Sequence, residues 1–148
     1  MKINWINCGL AGLLALSLAG CGGPSPDEAL KGLAAGIVKH DKAAFLKYQY
    51  MDRKSLKELE ANPEIADLMF DKLVDDDMVK ICKVVMGSKL KVIGDSPMHR
   101  TVRVTPTDPK IVKELKDDGC RGLTFKAHNV NGEWKVDLGS ITPIPISR

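Results

Sequence analysis

The chain has 148 residues, of which 28% are charged, and its formal net charge at pH 7 is only +3. So small a balance argues against a nucleic-acid-binding protein and against a protein built around a strongly anionic ligand. After a short apolar segment at the N-terminus, the remaining residues are enough for one domain with a modest core and not for two.

The N-terminal segment has the layout of a secretory signal peptide. Lys2 supplies a positive charge, and the uncharged run 9–19 is too short to span a bilayer, which takes about 20 apolar residues. The following Leu-Ala-Gly-Cys, residues 18–21, resembles the bacterial lipobox. That resemblance implies cleavage before Cys21, diacylglycerol transfer to its sulfur and acylation of the new amino terminus. The alternative is an ordinary secreted protein with a chance cysteine at this position.

The residues after Cys21 are typical of a spacer. Gly-Gly-Pro-Ser at 22–25 predicts a flexible tether that holds a folded domain away from the lipid surface. Two or three acyl chains anchor a protein stably, because each buried methylene contributes about 0.8 kcal/mol. By resemblance to the sorting rule of enteric bacteria, Gly22 implies an outer-membrane location facing the periplasm. The sequence thus predicts a signal peptide at 1–20, a tether at 21–25 and a single domain at 26–148.

Two cysteines remain in the mature chain once Cys8 leaves with the signal peptide and Cys21 is acylated. An oxidising envelope favours a disulfide between Cys82 and Cys120. Two buried free thiols are an alternative. A metal site formed by this pair is disfavoured, because no nearby histidine or cysteine is spaced to complete it.

The first half of the predicted domain has the periodicity of amphipathic helices. Ser25, Pro26 and Glu28 predict a helix start with an N-cap, a proline in the first turn and a capping box. Apolar residues at spacings of three and four continue this helix to about residue 40. The later helical stretches are a second helix capped by Asp41, a third over 55–61 and, after Pro63, a fourth over 64–74, before the acidic run 75–77.

Beyond the acidic run the sequence is rich in β-branched and aromatic residues, which predicts strands. Apolar and charged residues alternate most clearly over 133–138, and the preceding Asn131-Gly132 is a strong signal for a β-hairpin turn. Helices followed by antiparallel strands predict an α+β domain with the helices packed on one face of a curved sheet. The predicted strands are 79–86, 90–93, 101–105, 123–130 and 134–138, with a segment of helical spacing at 108–118.

Short motifs in this arrangement resemble the nuclear transport factor 2-like superfamily, which has a cystatin-like cone fold. They are the helix start PDEAL at 26–30, the turn KHDKA at 39–43 and the last hairpin VNGEWKV at 130–136. The nearest pattern is that of its small bacterial lipoproteins of unknown function. The resemblance implies a crevice between the helices and the sheet. It binds a ligand in some members of the superfamily and is filled by core side chains in others. Residues 108–118 and the long helical stretch 55–74 depart from the family pattern.

The sequence shows no catalytic constellation. Steroid-isomerising enzymes of the superfamily use an acidic base with a tyrosine donor, but Tyr48 and Tyr50, predicted on the second helix, have no carboxylate at an apolar-facing strand position to join them. His40, His99 and His128 are far apart, with His99 predicted in a turn and His128 facing solvent. The sequence therefore predicts neither an enzyme nor a metal or cofactor site.

The alternation within the strands also predicts a basic outer face of the sheet. If the apolar strand residues face the helices, the opposite face carries Glu133 and Asp137 as its acids and a larger number of cations. Such a face could dock anionic envelope polymers such as lipid phosphates, or an acidic partner protein. A wet sheet face with lysines is also an ordinary solubility device. The cations are Lys89, Lys91, Arg103, Lys126 and Lys135.

These features predict a lipid-anchored, non-catalytic envelope protein that acts as a binding or assembly module, confined near its partner by the tether. One alternative is an immunity or inhibitor lipoprotein that blocks a periplasmic toxin or lytic enzyme. Another is a ligand-binding or enzymatic cone, which needs an apolar crevice with a convergent carboxylate.

Overall fold

A computed structural model describes residues 23–147, so the predicted signal peptide, the Cys21 lipid site and part of the predicted tether lie outside the described residues. The helices within them are α1 (Pro26–Val38), α2 (Lys42–Tyr48), α3 (Arg53–Ala61), α4 (Ile65–Leu73), α5 (Asp76–Met86) and α6 (Pro109–Asp117). The strands are β1 (Ser88–Ile93), β2 (His99–Pro106), β3 (Cys120–Val130) and β4 (Glu133–Pro145). The predicted α+β class is confirmed. Among residues 23–147, every helix is too short or too polar to cross a membrane.

Side-chain caps begin the early helices. The Glu28 carboxylate accepts from the Ser25 backbone N–H at 3.1 Å, as the capping motif predicts. Asp41 accepts from the N–H of Ala44 at 3.1 Å and starts α2. Asp52 accepts from the N–H of Ser55 at 2.7 Å, so α3 begins earlier than the predicted residue 55. These bonds satisfy N–H groups that have no partner within their own helix.

Residues 79–86 belong to helix α5, so the strand predicted there is wrong. The β-branched run favours a strand, but the Asp75 carboxylate accepts from the Met78 N–H at 2.7 Å and caps a helix. The next two aspartates lie in the first turn, where negative charge interacts favourably with the helix dipole. The helix buries Cys82 and Val85 on its inner side. The acidic run therefore begins a helix and does not mark the start of the sheet.

The sheet has the strand order β1-β2-β3-β4, and each neighbouring pair is antiparallel. Val102 lies opposite Val92 on one side and Phe125 on the other, which places apolar residues of three strands on one face. The turn at Asn131-Gly132, with φ of 54° and 86°, joins β3 to β4 as predicted. β4 continues well past its predicted end at residue 138, after a register shift opposite Thr124–Lys126.

The core lies between the apolar face of the sheet and helices α1 and α5. Helix α1 contributes Leu30, Leu33 and Ile37, each at most 1% exposed. Phe45 of α2 is fully buried and meets Phe70 of α4 edge to face, with ring centroids 5.3 Å apart. The helices cover this face of the sheet. Residues that could bind a partner therefore lie on the opposite face and at the margin where α2, α3 and α4 approach β4.

Cys82 and Cys120 are both free thiols, so the predicted disulfide is absent from the structure. Cys82 is 2% exposed on the inner side of α5, and burial raises the pKa of its thiol to about 11. Cys120 is half-buried at the start of β3, where its Sγ donates to the Asp118 carbonyl at 3.5 Å. The Cys82 thiol is thus buried in the core, whereas the Cys120 thiol donates a hydrogen bond to a loop carbonyl beside the sheet.

Candidate functional site

The face of the sheet opposite the core carries the predicted cations. Lys91 of β1 lies directly across from Arg103 of β2. Like charges in directly opposed positions destabilise a sheet, so folding stability does not account for this pair. The exposed cations of this surface, which we call the basic face, are Lys89, Lys91, Arg103 and Lys126.

No ion pair formed within residues 23–147 includes a residue of the basic face. The ion pairs there are Lys42–Asp67, Lys54–Glu58, Lys80–Asp77 and Lys135–Glu133. Asp137 lies across from Lys126 on β4, but its Oδ1 accepts from the Gly139 N–H at 2.9 Å. The basic face therefore presents cations on three neighbouring strands without a carboxylate bound to any of them in the described part of the chain.

Lys135 belongs to the same face by alternation, but its ammonium group is engaged within the fold. The Nζ atom donates to the Lys47 carbonyl near the end of α2 and lies 3.4 Å from the Glu133 carboxylate. Its side chain is only 20% exposed. Lys135 therefore ties α2 to β4 and is not available for docking, which corrects the predicted set of cations.

Two histidines that are distant in the sequence meet beside the basic face. His99 begins β2, where a turn was expected, and lies opposite His128 of β3. Their Nδ1 atoms are 3.0 Å apart, so one ring donates a proton and the other accepts it. The Tyr50 ring stacks on His128 with centroids 4.1 Å apart. His128 lies on the outer face of the sheet with Lys126, as its predicted parity places it, but the Tyr50 ring leaves it half-buried.

The surroundings of His128 favour its neutral form. Burial is the largest cause that lowers the pKa of its imidazole, and the neighbouring His99 and Lys126 lower it further. The Asp137 carboxylate acts in the opposite direction and raises the pKa, but the other causes outweigh it. The remaining neighbours of His128 on this face are the Tyr50 ring, which stacks on it, and Lys135, which lies directly opposite it on β4.

We expect the His128 site to make the fold less stable as the solution is acidified from about pH 7.5 to about pH 5.5. The unfolded chain protonates histidine near pH 6.5, whereas folded His128 takes its proton only at lower pH, so protons favour the unfolded state across this interval. Urea unfolding at the two pH values measures the loss. His128→Asn should reduce it, and His40→Asn, at an exposed site, is the matched control. Equal pH dependence in wild type and His128→Asn would contradict the assignment.

A concave surface lies where the connection between α2 and α3 meets β4. Tyr50, predicted on the second helix, instead follows it, and its N–H donates to the Val136 carbonyl at 2.7 Å. Gln49 forms an isolated parallel bridge with the same Val136. The resulting cavity of about 300 Å³, which we call the Gln49 crevice, is lined by Gln49, Tyr50, Met51, Asp52, Ser55, Met69, Leu73 and Asp137.

Gln49 has an unusual position among residues 23–147, because it is the only polar residue buried there, with 8% exposed. Its Nε2 donates to the Tyr50 carbonyl at 2.9 Å. Its Oε1 has no hydrogen-bond partner in the structure. An unpaired buried acceptor costs about 1–3 kcal/mol, and with less than 1 Å² of accessible surface this oxygen is closed off from molecules in the crevice. No sequence motif marks the residue.

Neither the residues 23–147 nor the comparisons with known proteins assign an activity. Within residues 23–147, no group of three or more histidine, cysteine, aspartate or glutamate side chains is placed to hold a metal ion. Comparison of the chain with models of protein families, with curated proteins and with solved structures finds no match in any of the three. The function must therefore be inferred from the residues themselves and their geometry.

Proposed function

We propose that this chain is a lipid-anchored envelope protein whose domain, a cystatin-like cone of the nuclear transport factor 2-like kind, is a non-catalytic binding module. The signal-peptide pattern and the lipobox-like residues 18–21 support the anchor. Helices packed on one face of an antiparallel sheet are compatible with the cone. Acylated Cys21 would hold the domain within a tether's length of the membrane, on the periplasmic side of the outer membrane.

The observation that carries the binding role is the basic face. Its cations are exposed and bind no carboxylate within the described residues, and two of them, Lys91 and Arg103, are directly opposed despite their mutual repulsion. A phosphate-bearing lipid surface relieves this repulsion, and each lysine or arginine close to such a surface contributes about 1 kcal/mol. The lipid anchor would keep that surface within reach. The proposed partner is therefore the anionic headgroup layer of the membrane that holds the protein.

Lysine acetylation of the anchored protein tests this proposal. The mature protein is purified from the envelope, where mass spectrometry should find a chain that begins at acylated Cys21, and it is reconstituted into anionic or neutral vesicles. Lys89 and Lys126 should be acetylated several-fold more slowly on anionic vesicles, and salt at about 0.5 M should abolish the protection because it screens exposed charges. Lys113 on α6 is the internal control.

A charge-matched pair of variants separates docking at this face from general electrostatic attraction. Lys91→Glu combined with Arg103→Glu should remove the protection of Lys126, whereas Lys57→Glu combined with Lys113→Glu, on α3 and α6, should preserve it. Equal acetylation of Lys126 on anionic and neutral vesicles would overturn the docking role. An unacylated chain with an intact leader would overturn the anchor.

A further inference from the structure

A cavity of about 420 Å³ lies on the outer face of the sheet, between the histidine pair and the basic face. The register explains why its side chains share one site. Thr101 of β2 lies directly across from Lys126 of β3, and His99 lies directly across from His128 two positions along the same strands. Ile93 of β1, opposite Thr101, supplies an apolar wall. We call this cavity the histidine pocket.

The lining of the histidine pocket, within residues 23–147, has no acidic side chain. Its Lys126 is exposed and takes part in none of the ion pairs formed there. Asp137 lies across from Lys126 on β4, but it does not line the pocket, and its Oδ1 accepts from the Gly139 N–H. Arg100 adds positive charge to the lining, although its Nε donates to the Ser96 carbonyl at 3.1 Å. The pocket therefore attracts an anion and repels a cation.

The polar side chains of the pocket supply several hydrogen-bond donors. The Lys126 ammonium carries three N–H groups and the Thr101 hydroxyl carries one O–H. In the neutral histidine pair, the ring that accepts at Nδ1 has its own proton on Nε2 and can donate from there. One added proton places a hydrogen on both Nε2 atoms and keeps the bond between the Nδ1 atoms. The pair thus gains a positive charge and a second donor in the same step.

We infer that the histidine pocket binds one phosphate monoester group of a lipid headgroup. Ammonium, hydroxyl and imidazole donors suit a group with three terminal oxygens better than a carboxylate or a phosphodiester, each of which presents two. A monoester carries about two negative charges near neutral pH, which match the Lys126 ammonium and the proton that the histidine pair takes up. The inference rests on the proposed docking of the basic face at the membrane and names the group that this face selects.

The size of the histidine pocket limits how much of a lipid it holds. A volume of about 420 Å³ is near the lower end for small-molecule pockets, so it accommodates the phosphate and the adjoining carbon atoms and not the acyl chains. Ile93, which is half-buried, offers an apolar contact to those carbon atoms. The acyl chains of the bound lipid stay in the bilayer, near which the lipid anchor confines the domain.

Histidine NMR tests the pocket directly, because the chain has only three histidines. The mature protein in non-ionic detergent is titrated between about pH 5 and about pH 8 with glycerol 3-phosphate or with dimethyl phosphate, at constant ionic strength. Saturating glycerol 3-phosphate should raise the titration midpoints of His99 and His128 by at least about 0.5 pH unit, because an adjacent anion favours the charged imidazole. The midpoint of His40 should stay constant. Dimethyl phosphate, a diester, should bind at least about fivefold more weakly.

Two variants at exposed positions give the expected size of the effect. Lys126→Gln removes the ammonium, and His99→Asn removes one imidazole of the pair. Each should weaken glycerol 3-phosphate binding at least about fivefold, the factor that one lysine close to a phosphate contributes. Lys113→Gln on α6 is the control with the same change of charge and should bind as the wild type does. Equal affinity for the monoester and the diester, or midpoints of His99 and His128 that do not respond, would overturn the inference.

Vesicles test whether the phosphate belongs to a headgroup. The anchored protein is reconstituted with phosphatidic acid, which has a monoester, or with phosphatidylglycerol, which has a diester, at equal surface charge. Lys126 should be acetylated several-fold more slowly on phosphatidic acid, with Lys113 as the internal reference. Equal protection on the two lipids would overturn the choice of a headgroup monoester while the docking role stands. Loss of protection on both would overturn the docking role itself.

Discussion

Replacement of Phe45 by alanine is expected to lower the free energy of unfolding by about 3–5 kcal/mol. Phe45 is fully buried and is the only buried residue of α2, so its ring is the main apolar attachment of that helix. The ring also meets Phe70 of α4 at an interplanar angle of 88°. Truncation leaves a cavity between α2, α4 and the sheet. The cost of this cavity adds to the free energy lost because the apolar ring is no longer buried.

The matched control for Phe45→Ala is a truncation on the outside of α4. Leu68 is 68% exposed, so Leu68→Ala should change the free energy of unfolding by less than about 0.5 kcal/mol. Urea denaturation of both variants gives the comparison, provided that the slope of the free energy of unfolding against urea concentration is the same in both. A loss below about 1 kcal/mol in Phe45→Ala would mean that α2 is held by other contacts.

The parts of the fold that the sequence predicts well depend on a few adjacent residues. A cap such as Asp41 needs only its own carboxylate and the N–H three residues later, and Asn131-Gly132 needs only its own tolerance of positive φ. The strand predicted at 79–86 failed because two local signals conflicted there. Its β-branched residues favour a strand, but the Asp75 cap and the buried inner side of α5 favour a helix, and burial decides.

The candidate sites were predictable only to the extent that alternation determines them. Alternation places Lys91, Arg103 and Lys126 on one face, and the register shows them there. It cannot show that Lys135 turns back to the Lys47 carbonyl, because that contact depends on where α2 ends relative to β4.

The histidine pair and the Gln49 crevice both depend on contacts between distant segments. The pairing of His99 with His128 follows from the register of β2 with β3, which places Val102 opposite Phe125. Pairing these two apolar residues across the strands is enough to place His99 opposite His128. Gln49 is identified only by the hydrogen bond that its Oε1 lacks, and no local pattern of residues records that absence.

The close approach of α1 and α2 at Gly36 leads to the second large expected effect. Alanine is normally about 1 kcal/mol better than glycine inside a helix. At Gly36, however, an added Cβ would lie 2.6 Å from the Cβ of Ala44, and a methyl group cannot rotate away. The two helices would have to separate next to the buried Phe45. Gly36→Ala should therefore lower the free energy of unfolding by about 1–3 kcal/mol.

Two further variants show whether this contact is the cause. Gly32→Ala places its methyl group against the ring of Tyr48, which ends a half-buried side chain that can turn aside, so its loss should be smaller. Ala44→Gly alone should cost about 1 kcal/mol, because glycine is the poorer helix former. In the Gly36→Ala background it also removes the opposing methyl group, so urea denaturation of the single and double variants should show a favourable coupling between the two sites. If the losses of the two single variants simply add in the double variant, the contact between α1 and α2 is not what requires glycine at position 36.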